Sequence, residues 1–135
     1  MVKLEARGYR FRRPAGRRKT LEKHRASYLT VCQQFNLNVA CRALSDFGFG
    51  TYQVGSSLSR PDFRDVDLRC ILSDDEYDQM VFETGAPGQR RLKFLNVAVS
   101  EWIAARTGLP IDFQFQRQTE ANAEFTGSRN SVGAA

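Results

Sequence analysis

Thr51-Tyr52-Gln53-Val54-Gly55-Ser56-Ser57 and Asp65-Val66-Asp67-Leu68-Arg69-Cys70-Ile71-Leu72, separated by a polar loop holding Arg60, Pro61 and Arg64, decide the fold. Thr51 to Val54 is a short β-favouring run that ends on glycine, which reads as a strand entering a tight turn. From Asp65 to Leu72 the pattern has period two. Asp65, Asp67 and Arg69 share one face, and Val66, Leu68 and Cys70 share the other. Residues two apart on a strand lie roughly 7 Å apart at the backbone, so these carboxylates can converge on one divalent cation or bridge two. Hard oxygen ligands favour Mg²⁺ or Mn²⁺ over zinc. The plainer alternative is a pair of solvated aspartates on an exposed strand face.

The flanks supply the remaining elements. From about Thr20 the pattern turns helical, with Tyr28, Cys32, Phe35, Val39 and Ala43 stepping by three or four residues along one face until Gly48 and Gly50. Ser73-Asp74-Asp75-Glu76 matches a capping box that starts a short acidic helix running to about Phe82. A turn at Gly85-Ala86-Pro87-Gly88 leads to a longer helix with Leu92, Leu95, Val99, Trp102 and Ile103 as its apolar stripe, ended by Gly108 and Pro110. Ile111 to Gln116 is then a strand with Ile111, Phe113 and Phe115 on one face and Asp112, Gln114 and Gln116 on the other. The order helix, strand, strand, helix, helix, strand predicts an α+β fold (α/β-like): a small mixed sheet with helices packed on it. Three regions follow: a basic arm at 1–19, a domain at 20–118 and a frayed or surface-hugging tail at 119–135.

Composition narrows the function classes. The chain has 135 residues, 41% hydrophobic and 26% charged, enough for one globular domain and little more. Between Met1 and Arg25, ten basic residues face only Glu5 and Glu22, a net +8 that leaves −3 for the remainder of a chain at +5. Such an arm can neutralise phosphates, or it can be a solvated terminus. Three cysteines without a CxxC pair suggest neither a thiol metal site nor a disulfide framework. The opening MVKLEARGYR has no apolar core of a signal peptide, and no apolar run spans a bilayer, so a cytoplasmic protein is expected. His24, the sole histidine, sits in the basic stretch and reads as solvated, with a role as general base the alternative.

Val54-Gly55-Ser56, the eight residues Ser57 to Arg64, and then Asp65-Val66-Asp67-Leu68 together resemble the signature of the DNA polymerase beta-like nucleotidyltransferase superfamily. The match covers residues 54–68, and the size of the chain is similar to that of the minimal nucleotidyltransferases. The resemblance implies the nucleotidyltransferase fold and transfer of a nucleoside monophosphate from a nucleoside triphosphate to an acceptor hydroxyl, with pyrophosphate released. It implies that Asp65 and Asp67 hold a Mg²⁺ or Mn²⁺ ion carrying the triphosphate. It also implies a third carboxylate on a later strand, for which Asp112 is the candidate, joining them at a second ion that acidifies the acceptor hydroxyl. Gly55 and Ser56 would contact the β- and γ-phosphates, with Arg60 or Arg64 offsetting charge. Arg60 and Arg64 also read as plain loop residues, and Asp74 and Asp75 fit helix capping better than metal ligation.

Two other functions stay open on the sequence: a module gripping nucleic acid through the basic arm, and a catalytically inactive nucleotidyltransferase-fold partner. The acceptor stays open between RNA or another nucleic acid, a partner protein and a small antibiotic-like molecule, with the arm favouring RNA or another phosphate-rich molecule.

Overall fold

The computed structural model of the chain describes residues 26–83 and 88–133. Its elements are α1 (Val31–Asp46), β1 (Thr51–Val54), a one-turn 3-10 helix (Gly55–Leu58), β2 (Val66–Leu72), α2 (Asp74–Glu83), α3 (Gly88–Thr107), β3 (Ile111–Arg117), α4 (Gln118–Glu124) and β4 (Asn130–Val132). The strands form one mixed sheet in the order β3-β2-β1-β4, with β1 antiparallel to both β2 and β4, and β2 parallel to β3. The α+β architecture expected from the sequence is the one observed. The basic arm, His24 and the turn at 85–87 lie outside the described residues. Among the described residues, no helix is long and apolar enough to cross a membrane.

One face of the sheet is the core face. Val66, Leu68 and Cys70 of β2 and Phe113 and Phe115 of β3 meet Leu37 and Cys41 of α1 and Leu92 and Ile103 of α3, all at most 5% exposed. Phe113 packs edge-on to Phe115, and Phe115 edge-on to Phe49. Because side chains alternate on a strand, burying this face forces Asp67, Arg69, Asp112 and Gln114 onto the opposite one. β3 is an edge strand, and α3 closes that edge. The amide of Phe113 donates to Ser100 Oγ (2.8 Å) and the amide of Phe115 to Asn96 Oδ1 (3.0 Å), leaving no free ladder at those positions for another chain to extend.

α1 corrects the sequence reading twice. It begins at Val31, with Thr30 as N-cap in a reciprocal capping box with Gln33, and the residues before it from Ala26 are not helical. Its buried face is Leu37, Ala40 and Cys41, whereas Val31, Phe35 and Val39 are 86%, 66% and 54% exposed and Cys32 is exposed. The helix carries two apolar stripes, and periodicity alone cannot choose between them. The choice is made where Gly133, at φ +80°, closes on the backbone of Cys41, so close that a side chain there would overlap it. Thr30→Ala removes the cap and is expected to cost about 1 kcal/mol, read as a lower denaturation midpoint at constant m-value.

The stretch expected to be a frayed or surface-hugging tail holds α4 and β4. α4 buries Ala121, and β4 pairs Thr51, Tyr52 and Gln53 of β1 with Val132, Ser131 and Asn130. Gln116 Nε2 donates to Glu124 Oε1 at 2.8 Å, Thr119 hydrogen-bonds to the Asp74 carboxylate, and Arg117 ion-pairs with Asp78. A polar composition hid these elements, because their partners are side chains far away in the chain.

Candidate active site

β2 and β3 run parallel with Asp67 directly opposite Asp112, so the two carboxylates stand side by side on the polar face. On the other side of β2, Asp67 is opposite Val54, the residue before Gly55. Gly55 has φ +77°, a left-handed conformation that glycine adopts freely, and a first side-chain carbon there would collide with Oδ2 of Asp67. Turn, Asp67 and Asp112 therefore lie in line across three adjacent strands. Gly55→Ala combines backbone strain with that collision. We expect a loss of about 2 kcal/mol in stability and displacement of the Asp67 carboxylate, measured by chemical denaturation and by loss of metal-dependent nucleotide binding.

The site concentrates negative charge in a half-buried place. Burial pushes the Asp67 carboxyl up to about 6; the Arg69 guanidinium opposes this, while the charge of Asp112, a hydrogen bond shared with it and the charge of Asp65 add to the rise. Asp65 is exposed and just precedes β2, which begins at Val66 rather than at the expected Asp65. Among the described residues, no three carboxylate, imidazole or thiol groups are gathered closely enough to hold an ion as the side chains stand.

Arg69 is the main residue that the sequence reading left without a role. It is only 4% exposed, yet its Nη1 donates to the backbone carbonyls of Leu68 (2.9 Å) and Asp112 (2.8 Å), and its Nη2 lies 3.5 Å from Asp112 Oδ2. Phe125 covers the guanidinium at 5.3 Å, and Nε is buried without a partner. Gln114 Nε2 adds a donor to Asp112 Oδ1 at 3.2 Å. The sequence signal for Arg69 was its place on the face of Asp65 and Asp67; what was missing was Phe125, brought over it from 56 residues later.

The Gly55–Ser56 turn is anchored from below. Gln53, fully buried, donates to Ser57 Oγ (2.9 Å) and Ser27 Oγ (3.1 Å) and accepts from Gln34 Nε2 (3.2 Å). The Tyr28 amide donates to the Ser57 carbonyl at 2.8 Å, so the segment leading into α1 clamps the turn. Ser56 is half-buried, and its carbonyl accepts from the amides of Ser59 and Arg60. Arg60 and Arg64 are exposed on the loop after the turn, and Arg60 pairs with Asp62 at 3.5 Å. Asp74 and Asp75 start α2, with Ser73 and Glu76 forming the expected capping box and Asp74 engaged by Thr119. Comparison of this chain with protein-family models, with curated proteins and with solved structures finds no match.

Proposed function

We propose that the protein is a metal-dependent nucleotidyltransferase of the DNA polymerase beta-like kind, moving a nucleoside monophosphate from a nucleoside triphosphate to an acceptor hydroxyl with release of pyrophosphate. The observation that supports it is the register of Asp67 against Asp112, with the side-chain-free Gly55 against the Asp67 carboxylate. The donor set fits a hard divalent cation: carboxylate oxygens only, with a proton held at Asp67 up to about pH 6 by burial and by its acidic neighbours. Asp65, Asp67 and Asp112 would hold Mg²⁺ or Mn²⁺, which when bound supplies charge neutralisation on the transferring phosphoryl group and acidifies the acceptor hydroxyl.

The chain's own residues do the rest by placement. Gly55 leaves room for the Asp67 carboxylate against the turn, where a phosphate would meet the backbone with Ser56 as a hydroxyl donor. Arg69 holds Asp112 through its carbonyl and carboxylate, fixing the carboxyl beside Asp67. Arg60 and Arg64, exposed on the loop leading into β2, would offset charge on the outer phosphates. Such positioning and fixed charge are the main contribution a protein makes to phosphoryl transfer.

The test is calorimetric titration of ATP, GTP, CTP and UTP with Mg²⁺ or Mn²⁺ into the wild type and into Asp65→Asn/Asp67→Asn. Metal-dependent binding of at least one triphosphate, lost in the double variant, is the expected result. Absence of any binding, or equal binding by the variant, removes the catalytic reading.

A further inference from the structure

The helix layer over the core face of the sheet leaves apolar surface uncovered on its outer side. α1 and α3 pack against each other there, α1 burying Leu37, Ala40 and Cys41 and α3 burying Leu92 and Ile103. Val31, Phe35 and Val39 step by four along the side of α1 that points away from that core. The stripe continues through Ala43 to Phe47 at the C-cap, which is 76% exposed. On α3, Phe94 is 70% exposed and stands one turn before Ala98. Between the two helices lies a groove of about 610 Å³, with Ala43 and Phe47 on the α1 side, Met80 from α2, and Leu95, Ala98 and Trp102 from α3. Every residue that lines it is apolar.

The area matches what a stable pair of chains buries. Side chains of these types present roughly 150–200 Å² when fully exposed, so Val31, Phe35, Val39, Phe47, Phe94 and Leu95, at exposures of 37–86%, leave about 700 Å² in water. The largest apolar patch on a monomer is usually about 300–600 Å², and a standard interface takes about 800 Å² from each partner. Shape and charge favour a second copy of this chain as that partner. A two-fold pair requires a surface that is its own complement. Here the ridge of Val31, Phe35 and Val39 lies beside the groove, so the ridge of each copy can enter the groove of the other. Arg42 and Asp46, exposed one turn apart on α1, give the rim both signs, each able to meet its opposite across the two-fold. The chain's own residues 1–25, with ten basic side chains, would find no carboxylate in the groove. We propose that the α1–α3 face is the interface of a symmetric homodimer, built from two ridge-into-groove contacts. It stands apart from the catalytic reading, because the carboxylates lie on the other face of the sheet and point outward from both copies.

Sedimentation equilibrium of the full chain between about 5 and 100 µM tests this. The expected result is a species of twice the 15.3 kDa chain mass. Phe35→Glu on the ridge and Ala98→Glu in the groove should each raise its dissociation constant at least about thirtyfold. Tyr52→Thr, on the opposite face of the sheet, should leave it unchanged. All three positions are exposed, so the variants are expected to fold, which circular dichroism verifies. A dimer that survives either glutamate variant, or one that Tyr52→Thr dissociates, overturns the proposal by placing the contact elsewhere. A wild type that is monomeric throughout also overturns it, and binding of the apolar dye ANS to that monomer then separates the remaining occupants. A dark face is covered by the chain's own residues 1–25, and a bright one is open to a different protein.

Discussion

Asp67→Asn is expected to abolish metal-dependent triphosphate binding while making the metal-free protein more stable at neutral pH. The first effect follows from removing the carboxylate common to both halves of the site, between Gly55 and Asp112. We expect the affinity to fall at least 100-fold, by calorimetry with Mn²⁺ and the bound nucleotide. The second effect has a definite pH signature. The carboxyl is raised from 3.8 to about 6 in the folded chain, mainly by burial. A folded-state value above the unfolded one means that the native state holds the proton more tightly. Stability is therefore greatest below pH 3.8, declines as pH rises through the interval up to about 6, and is level above it. Asparagine carries no charge to strand there, so the variant lacks this decline. Asp67 remains partly open to solvent, and screening limits the gain to about 1 kcal/mol above pH 6, worth about 3–6 °C in Tm for a chain of this size. Melting curves at pH 3.5 and 7.5 in chelator check it: near-equal Tm at the low pH, a higher one for the variant at 7.5. A variant that is less stable at pH 7.5 would contradict the charge crowding inferred at this site. Stability lost to a crowded polar cluster is a usual cost of a functional site.

Arg69→Met is expected to do the reverse, costing about 2–4 kcal/mol. Methionine matches the bulk of the side chain but leaves the carbonyls of Leu68 and Asp112 without their guanidinium donor and strips the countercharge from Asp112. The stack on Phe125 goes as well, so the crossing from α4 to β4 loosens. Arg69→Lys should fall between, because one ammonium cannot serve two carbonyls and a carboxylate in the geometry of a planar fork. Mn²⁺ at millimolar concentration should return part of the Arg69→Met loss, since an ion among the carboxylates replaces the missing positive charge. Urea denaturation with and without metal measures both. A loss below about 0.5 kcal/mol, or one that metal leaves untouched, would show that Arg69 is a packing residue and not the countercharge of the cluster.

The strand alternation in Asp65 to Leu72 and in Ile111 to Gln116 was enough to put Asp67 and Asp112 on the faces of their strands that do not enter the core. Val66, Leu68, Cys70, Phe113 and Phe115 are strongly apolar, and a period of two leaves no freedom once they are buried. The bounds of β1, the capping box of α2 and the end of α3 were legible for the same reason: turn and cap chemistry is local, carried by residues within four positions of each other. α1 was legible as a helix but not in its orientation, because Val31-Phe35-Val39 and Leu37-Cys41-Leu44 are equally periodic and only docking of β4 and Gly133 at Cys41 selects the second.

Sequence by itself thus determined the types of the elements between residues 31 and 117, the polar face and the residue types that could meet a cation. Tertiary structure alone decided that β2 and β3 pair in parallel with Asp67 opposite Asp112, and that residues 118–132 return as a helix and an edge strand. It also decided that Arg69 is buried under Phe125 and that an apolar groove opens between α1 and α3. Each of these rests on contacts between residues tens of positions apart. Such contacts form only when the apolar faces of several elements are buried together, and no local pattern encodes which of the available pairings buries the most.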